Sequence, residues 1–318
     1  MADASPPPPP AAFSPGRRAA VAVLTVIALA ALATFLYQNR GYIGAHYAVS
    51  PGAATAIAAL MVATLALRGL SHRAMFHRLG IRATVFDWFR LVTVTSFTNY
   101  LPLSAGMLAK AFFLKRVHAL PYGSFAVGQV ALLVIIASTN GAAGLATLAF
   151  AFPEHVPGVI GAGFALMISA SALLFLPIGP MKRLLHERVA WDAAIVSDLR
   201  RAWPMVCVLQ LGILLASAAI LRICFALGSS GVGFSACLIF SAAAMLTRLV
   251  AFVPGAIGIR EFMVGGLAYL TGFELRDAVI AAAAARTVEI AVVFTLGGLF
   301  TYRLSGEVLS SYGDAKSG

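Results

Sequence analysis

Residues 252–261 read Phe252-Val253-Pro254-Gly255-Ala256-Ile257-Gly258-Ile259-Arg260-Glu261, and residues 98–106 read Thr98-Asn99-Tyr100-Leu101-Pro102-Leu103-Ser104-Ala105-Gly106. Each stretch sits inside an apolar region and puts Pro and Gly where a spanning helix should run unbroken. Charge lies beside each break: Lys110 after the first, Arg248 before the second, Arg260 and Glu261 within it. Irregular backbone at membrane depth survives only where it is buried in protein or lines a watery cavity. Broken helices at matching positions of two halves point to a transporter's binding site.

Composition supplies the setting. The 318 residues are 60% apolar and 11% charged, with a mean hydropathy of +0.91. A soluble domain carries about 25% charged residues, so an all-α, polytopic membrane protein is expected. A formal charge of +11 would suggest nucleic acid in a soluble protein. Here most Lys and Arg fall in short loops between apolar runs, where a cytoplasmic bias is normal, and nucleic acid is set aside as a partner. Cys207, Cys224 and Cys237 lie in apolar segments without metal-ligand spacing, and His72, His77, His118 and His186 fall in basic loops. No metal and no cofactor is expected, and no Gly-x-x-x-x-Gly-Lys-Ser/Thr loop is present to hold a nucleotide.

Working outward from the breaks, six runs are long enough, at about 20 residues, to cross the hydrocarbon: 19–38, 51–69, 124–151, 158–178, 203–227 and 278–302. Residues 1–18 read as a Pro-rich disordered tail, and 303–318 as a cytoplasmic tail. Segment 68–82, with Arg68, Arg73, Arg78 and Arg82, is basic, and so is the pair Lys115-Arg116. Both belong inside, so the region 86–117 between them must enter and return. Segment 152–157 has no Lys or Arg and belongs outside, whereas 180–202 holds five and belongs inside. The region 235–272 is then either a hairpin dipping from outside or two full crossings. Loop charge permits both.

The chain thus divides into 19–151 and 158–302, each built as helix, helix, broken hairpin, helix, but starting on opposite sides. The fold expected is about six full transmembrane helices plus two broken re-entrant hairpins in an inverted repeat. Both termini would lie in the cytoplasm of a bacterium, beneath its inner membrane. Met181–Trp203 reads as an amphipathic helix on the inner leaflet, and Trp88, Trp191 and Trp203 as an interfacial belt.

Lys110, Arg248, Arg260, Glu261, Arg286 and Glu289 fall within apolar segments. At about 2.5–3.5 kcal/mol each, six isolated charges would cost about 15–20 kcal/mol, more than a typical folding stability. They must pair or line a hydrated cavity. Arg286 and Glu289 are three apart and share a helix face; Arg260 and Glu261 are adjacent and must pair across helices. Four cations against two anions leave two positive charges for an anionic ligand. Half-helices beginning inside the layer would point free N–H groups at it. Asn99 and Ser104 join the site as polar groups at the first break, with Ser104 placed to cap the second arm. Pro102, Gly106, Pro254, Gly255 and Gly258 shape the hairpins. Gln129 and Asn140 read as helix–helix hydrogen-bonding groups.

At these residues the chain resembles the lysylphosphatidylglycerol synthase transmembrane-domain family of flippase-like proteins. Asn99, Pro102, Gly106 and Lys110 match its first signature. Pro254, Gly255, Gly258, Arg260 and Glu261 match its second, with Ala256 where another Gly is usual. The resemblance covers about residues 20–303. It implies an inner-membrane protein that moves or binds a phospholipid or an isoprenoid-linked lipid. Larger relatives carry a soluble aminoacyl-transferase domain, for which these 318 residues hold no stretch, so the synthase activity is not expected to transfer.

The function expected is movement of an anionic phospho- or isoprenoid-linked lipid across the cytoplasmic membrane. No catalytic residue is expected. The alternative is a membrane-embedded enzyme, with Glu261 or Glu289 as its base, or an accessory subunit of a lipid or envelope biosynthesis complex. The partners expected are the lipid itself and either further copies of the chain or biosynthetic proteins.

Overall fold

The computed structural model describes residues 15–47, 49–100, 105–151, 193–228, 230–247 and 256–317, together with positions 158 and 165. Among the described residues the chain forms ten helices and no strand: α1 (Pro15–Gln38), α2 (Arg40–His46), α3 (Pro51–His77), α4 (Val85–Thr98), α5 (Ala105–His118), α6 (Tyr122–Ala151), α7 (Ala193–Leu227), α8 (Phe234–Leu246), α9 (Ile259–Leu270) and α10 (Leu275–Ser317).

Length sorts these helices into two kinds. Four are long and apolar enough to cross a membrane: α3, α6, α7 from Ser197, and α10 as far as Tyr302. The expected first span lies in the 24-residue α1. The expected span 158–178 lies outside the described residues. The helices α4, α5, α8 and α9 have 14, 14, 13 and 12 residues. At 1.5 Å per residue they are about 18–21 Å long, short of a hydrocarbon layer of about 30 Å. Each short helix packs on its sequence neighbour, α4 on α5 and α8 on α9. Over their described residues α8 and α9 are each shorter than that layer, and residues 248–255 between them lie outside the described residues.

Local chemistry explains where the elements start. Ser50 precedes Pro51 at the first position of α3, and its hydroxyl accepts from the Ala53 N–H at 3.2 Å. Thr84 and Asp87 form a reciprocal capping box at α4, with Arg90 held to Asp87 at 2.7 Å. Hydroxyls inside the helices bond to carbonyls of their own helix, as Thr93 does to Phe89 at 2.8 Å and Thr98 to Val94 at 2.8 Å. The hydrogens of these hydroxyls are thereby satisfied within their own helix.

Three boundaries and the burial of one tryptophan depart from the sequence reading. α3 runs eight residues past 69, so Arg68 and His72 are helical rather than in a basic loop; buried Gly69, Ser71, Met75 and Phe76 keep that face apolar and packed. α7 begins at Ala193 and passes through Pro204, although a Pro there reads as a helix start; residues 181–192 of the expected amphipathic stretch lie outside the described residues. α10 continues to Ser317, so 303–317 is helix. Trp88 is 1% exposed, within the core rather than at an interface.

Packing relates the two halves. α3 and α7 lie against each other at the centre; α4 packs on α3 and α10, and α8 packs on α7 and α6. Exchanging α3 with α7, α4 with α8 and α6 with α10 maps each of these pairings onto another. Two apolar clusters result. One gathers Trp88, Leu91, Phe113 and Leu114 of α4 and α5 with Phe76, Phe125 and Leu132. The other gathers Phe240, Val264 and Leu267 of α8 and α9 with Phe225, Ile57 and Ala278. Large apolar side chains such as Leu108, Val208, Leu215, Phe294 and Leu299 stay exposed on the outside, as suits surrounding lipid and not water.

One end is tied by a polar knot. Asp277, at the start of α10, accepts from the Tyr42 hydroxyl at 2.9 Å and from Ser230 at 2.7 Å. The hydrogen bond to Asp277 pushes the Tyr42 phenol above its ordinary value, and Arg276 stacks over the Tyr42 ring at 3.6 Å. The segment after α1 is thereby fastened to the turns flanking α8 and α10.

Candidate anion-binding site between the broken helices

The site begins at the first turn of α9. Gly258 adopts φ +84, a conformation open to glycine and costly for other residues. Its N–H donates to Glu261 Oε2 at 2.7 Å. The carboxylate thus closes the start of its own helix, and Glu261 is 0% exposed. Ala256, two residues earlier, also takes a positive φ, of 51, where the resembled family usually has Gly.

α10 supplies the partners. Arg260 Nη1 donates to Glu289 Oε2 at 2.7 Å, and Arg286 Nη1 donates to the same oxygen at 3.0 Å. Arg286 Nε lies 3.9 Å from Glu261 Oε1. The sharing of one helix face by Arg286 and Glu289, and the pairing of Arg260 across helices, agree with the spacing argument. Close approach of the two helices makes this possible: a Cβ on Gly265 of α9 would collide with Val279 of α10. Arg286 lies about 17 Å along α10 from Leu275, near the middle of the apolar span Leu275–Tyr302.

The first hairpin reaches the same place through Tyr100, just past the end of α4. The Arg286 guanidinium sits 5.3 Å over the Tyr100 ring, and Tyr100 and Phe97 both pack edge-on against Phe294 of α10. α3 adds Arg68, close enough to interact electrostatically with Glu289, Arg260, Arg286 and Tyr100. Three guanidinium groups therefore surround two carboxylates among the described residues. Among the described residues Arg286 Nε, Arg68 Nε and the Tyr100 hydroxyl are buried donors without a hydrogen-bond partner, and Glu261 Oε1 is an acceptor without one. Unmet donors beside surplus positive charge are what an anionic oxygen satisfies.

Lys110 is elsewhere. It is 3% exposed, and its Nζ lies 2.9 Å from His72 Nε2 and donates to Gln129 Oε1 at 2.8 Å. Asn99 is the C-cap of α4, and a Cβ on Gly106 would collide with its side chain and with the Thr95 carbonyl. Asn99 and Gly106 therefore set how closely α5 approaches α4. Arg248, Pro102, Ser104, Pro254 and Gly255 lie outside the described residues. Asn140, expected to bond between helices, donates to Ile136 of its own helix at 2.7 Å. Among the described residues no group of His, Cys, Asp and Glu could hold a metal ion.

Arg68, Tyr100 and His72 are the residues that sequence reasoning missed. Arg68 was countable as the last charge inside the run 51–69, but its neighbours Arg73 and Arg78 drew it into a loop. Tyr100 carried no signal beyond its place in the break.

No curated protein and no solved structure matches this chain. The family described as the lysylphosphatidylglycerol synthase TM region matches residues 18–297, which takes in three of the four long apolar helices and most of the apolar part of the fourth, both pairs of short helices and every charged group of the site. The chain is an integral membrane protein belonging to that family.

Proposed function

We propose that this protein moves a lipid with an anionic head group from one leaflet to the other, within the cytoplasmic membrane and with both termini in the cytoplasm. The observation that carries the reading is the group around Arg286: among the described residues, three guanidinium groups against two carboxylates, with buried donors on Arg286, Arg68 and Tyr100 left unpaired. Its position near mid-span, where Arg286 faces both Tyr100 at the end of α4 and Glu261 at the start of α9, supports a site reached from both leaflets. Arg260, Arg286 and Arg68 would hold a phosphate-bearing head group, and Glu261 and Glu289 would orient them. Glu261 is tied to its helix start and Glu289 to two arginines, arrangements that favour structure over general-base work.

The test is reconstitution of the full chain into liposomes with a fluorescent phosphatidylglycerol, read by a membrane-impermeant quencher. Movement should be lost in Arg286→Ala and Arg260→Ala and kept in Arg222→Ala, which changes a charge in the last turns of α7 outside the group around Arg286. A labelled phosphatidylcholine should move more slowly. Wild-type protein that leaves the label in place would remove the reading, and a new lipid product without movement would make the protein an enzyme.

A further inference from the structure

The first hairpin holds a second buried polar cluster that the anion site does not use. His72 Nδ1 lies 2.8 Å from the Arg68 carbonyl, which can only accept, so Nδ1 carries the hydrogen and Nε2 presents a lone pair. Lys110 Nζ meets that lone pair at 2.9 Å and Gln129 Oε1 at 2.8 Å, with the Phe125 ring 5.6 Å away. Among the described residues Lys110 has no carboxylate partner. This contrasts with Arg260 and Arg286, both paired to Glu289.

The surroundings are otherwise uncharged. The charged groups acting on His72 are Lys110 from α5 and Arg68 from α3. α4 contributes Trp88, whose ring lies 6.1 Å from the imidazole, and Phe76 of α3 stacks at 6.2 Å. α6 contributes Gln129 and Phe125. Among the described residues no charged group of α7 or α10 acts on His72. Arg68 is the link between the clusters: its carbonyl accepts from His72, while its guanidinium interacts with Glu289, Arg260 and Arg286.

We propose that Lys110 and His72 form a proton-binding site, separate from the anion site and joined to it through Arg68, whose occupancy drives lipid movement with a transmembrane pH difference. Water is the proton donor. A hydronium O–H bond breaks as an Nε2–H bond of His72 forms, the electron pair stays on the water oxygen, and the Lys110–His72 pair gains one positive charge one helical turn from Arg68. A charge placed there repels the Arg68 guanidinium and changes how strongly the anion site holds its guest. The coupling rests on the transport reading; the proton site does not.

Trp88 gives a readout independent of transport, because a protonated imidazole at that range quenches indole fluorescence. In full-length protein carrying Trp191→Phe and Trp203→Phe, Trp88 emission should show a step as pH falls. The step should vanish in His72→Gln and be displaced in Lys110→Met. A flat trace in the parent over the range where it stays folded overturns the proton site. In liposomes of phosphatidylglycerol and phosphatidylethanolamine, a gradient of one pH unit should enrich trace labelled phosphatidylglycerol in one leaflet by up to about tenfold for one proton per lipid. His72→Gln should abolish the enrichment. Movement without enrichment overturns the coupling. Arg286→Ala should stop movement and keep the Trp88 step. A retained step in wild-type protein that moves no lipid sinks the transport reading and leaves proton binding standing.

Discussion

The two pairs of short helices use the same sequence grammar to opposite ends. In α8 and α9 the break is followed by Arg260-Glu261, and α9 lies along α10, so both charges find partners within 4 Å. In α4 and α5 the break is followed by Lys110, and α5 touches α6 only lightly, with Lys110 reaching Gln129 and Lys115 lying over the Tyr122 ring. One hairpin is fixed by an ion network, the other by neutral hydrogen bonds around a single cation. The difference follows from what faces each helix. The small residues Ala281, Ala282 and Ala285 of α10 are buried in the cluster that includes α9, whereas Phe113 and Leu114 of α5 are buried with the bulky Phe76, Trp88 and Phe125. Carboxylates face the arginines in one half, while an imidazole and an amide face Lys110 in the other.

If that contrast is right, removing a carboxylate should damage the second hairpin most. Glu289→Ala leaves Arg260 and Arg286 without their shared acceptor. Stripping one partner from a buried ion network costs about 3–5 kcal/mol, read as a lowered midpoint of unfolding in denaturing detergent. A loss under about 1 kcal/mol would mean that the two arginines relax into water, and the network would no longer distinguish the halves.

The same contrast shows how far the sequence could be read. Period and charge placed both breaks, the four long spans and the pairing of Arg286 with Glu289, because those depend on spacing along one helix. The partner of Arg260 was legible as a class, since adjacent residues cannot share a face. What was not legible was Arg68: its role depends on α3 continuing to His77, and a run of basic residues reads equally as loop or as helix. Trp88 failed for a similar reason, because burial of an aromatic near a helix start is decided by the neighbours stacked on it, here His72 and Phe76. Lys110 was placed with the arginines by counting charges, and counting carries no information about distance.

The glycines give an intermediate test. Gly106→Ala creates a steric conflict with the Thr95 carbonyl and the Asn99 side chain, for about 1–3 kcal/mol. Gly258→Ala forces a side chain into φ +84, also for about 1–3 kcal/mol. The causes differ, and so should the rescue. Asn99→Ala in the Gly106→Ala background removes part of the conflict and should recover part of the loss. No neighbour relieves Gly258→Ala, because the strain is in the backbone itself. Equal rescue at both positions would mean that the two breaks are built alike.

The smallest effect is expected at Lys110. Replacing it with Met keeps most of the volume and removes a buried charge, which by itself is neutral or stabilising. Against that, His72 Nε2 and Gln129 Oε1 each lose a donor, at about 1–3 kcal/mol for an acceptor that stays unsatisfied. Gln129 and His72 are both polar enough to take up water in the space left, so the opposing terms should bring Lys110→Met within about 1 kcal/mol of wild type. The same unfolding measurement that shows a large loss for Glu289→Ala should show little here. A loss above about 3 kcal/mol would instead be the signature of a broken ion pair, and Lys110 would then have to find a carboxylate outside the described residues.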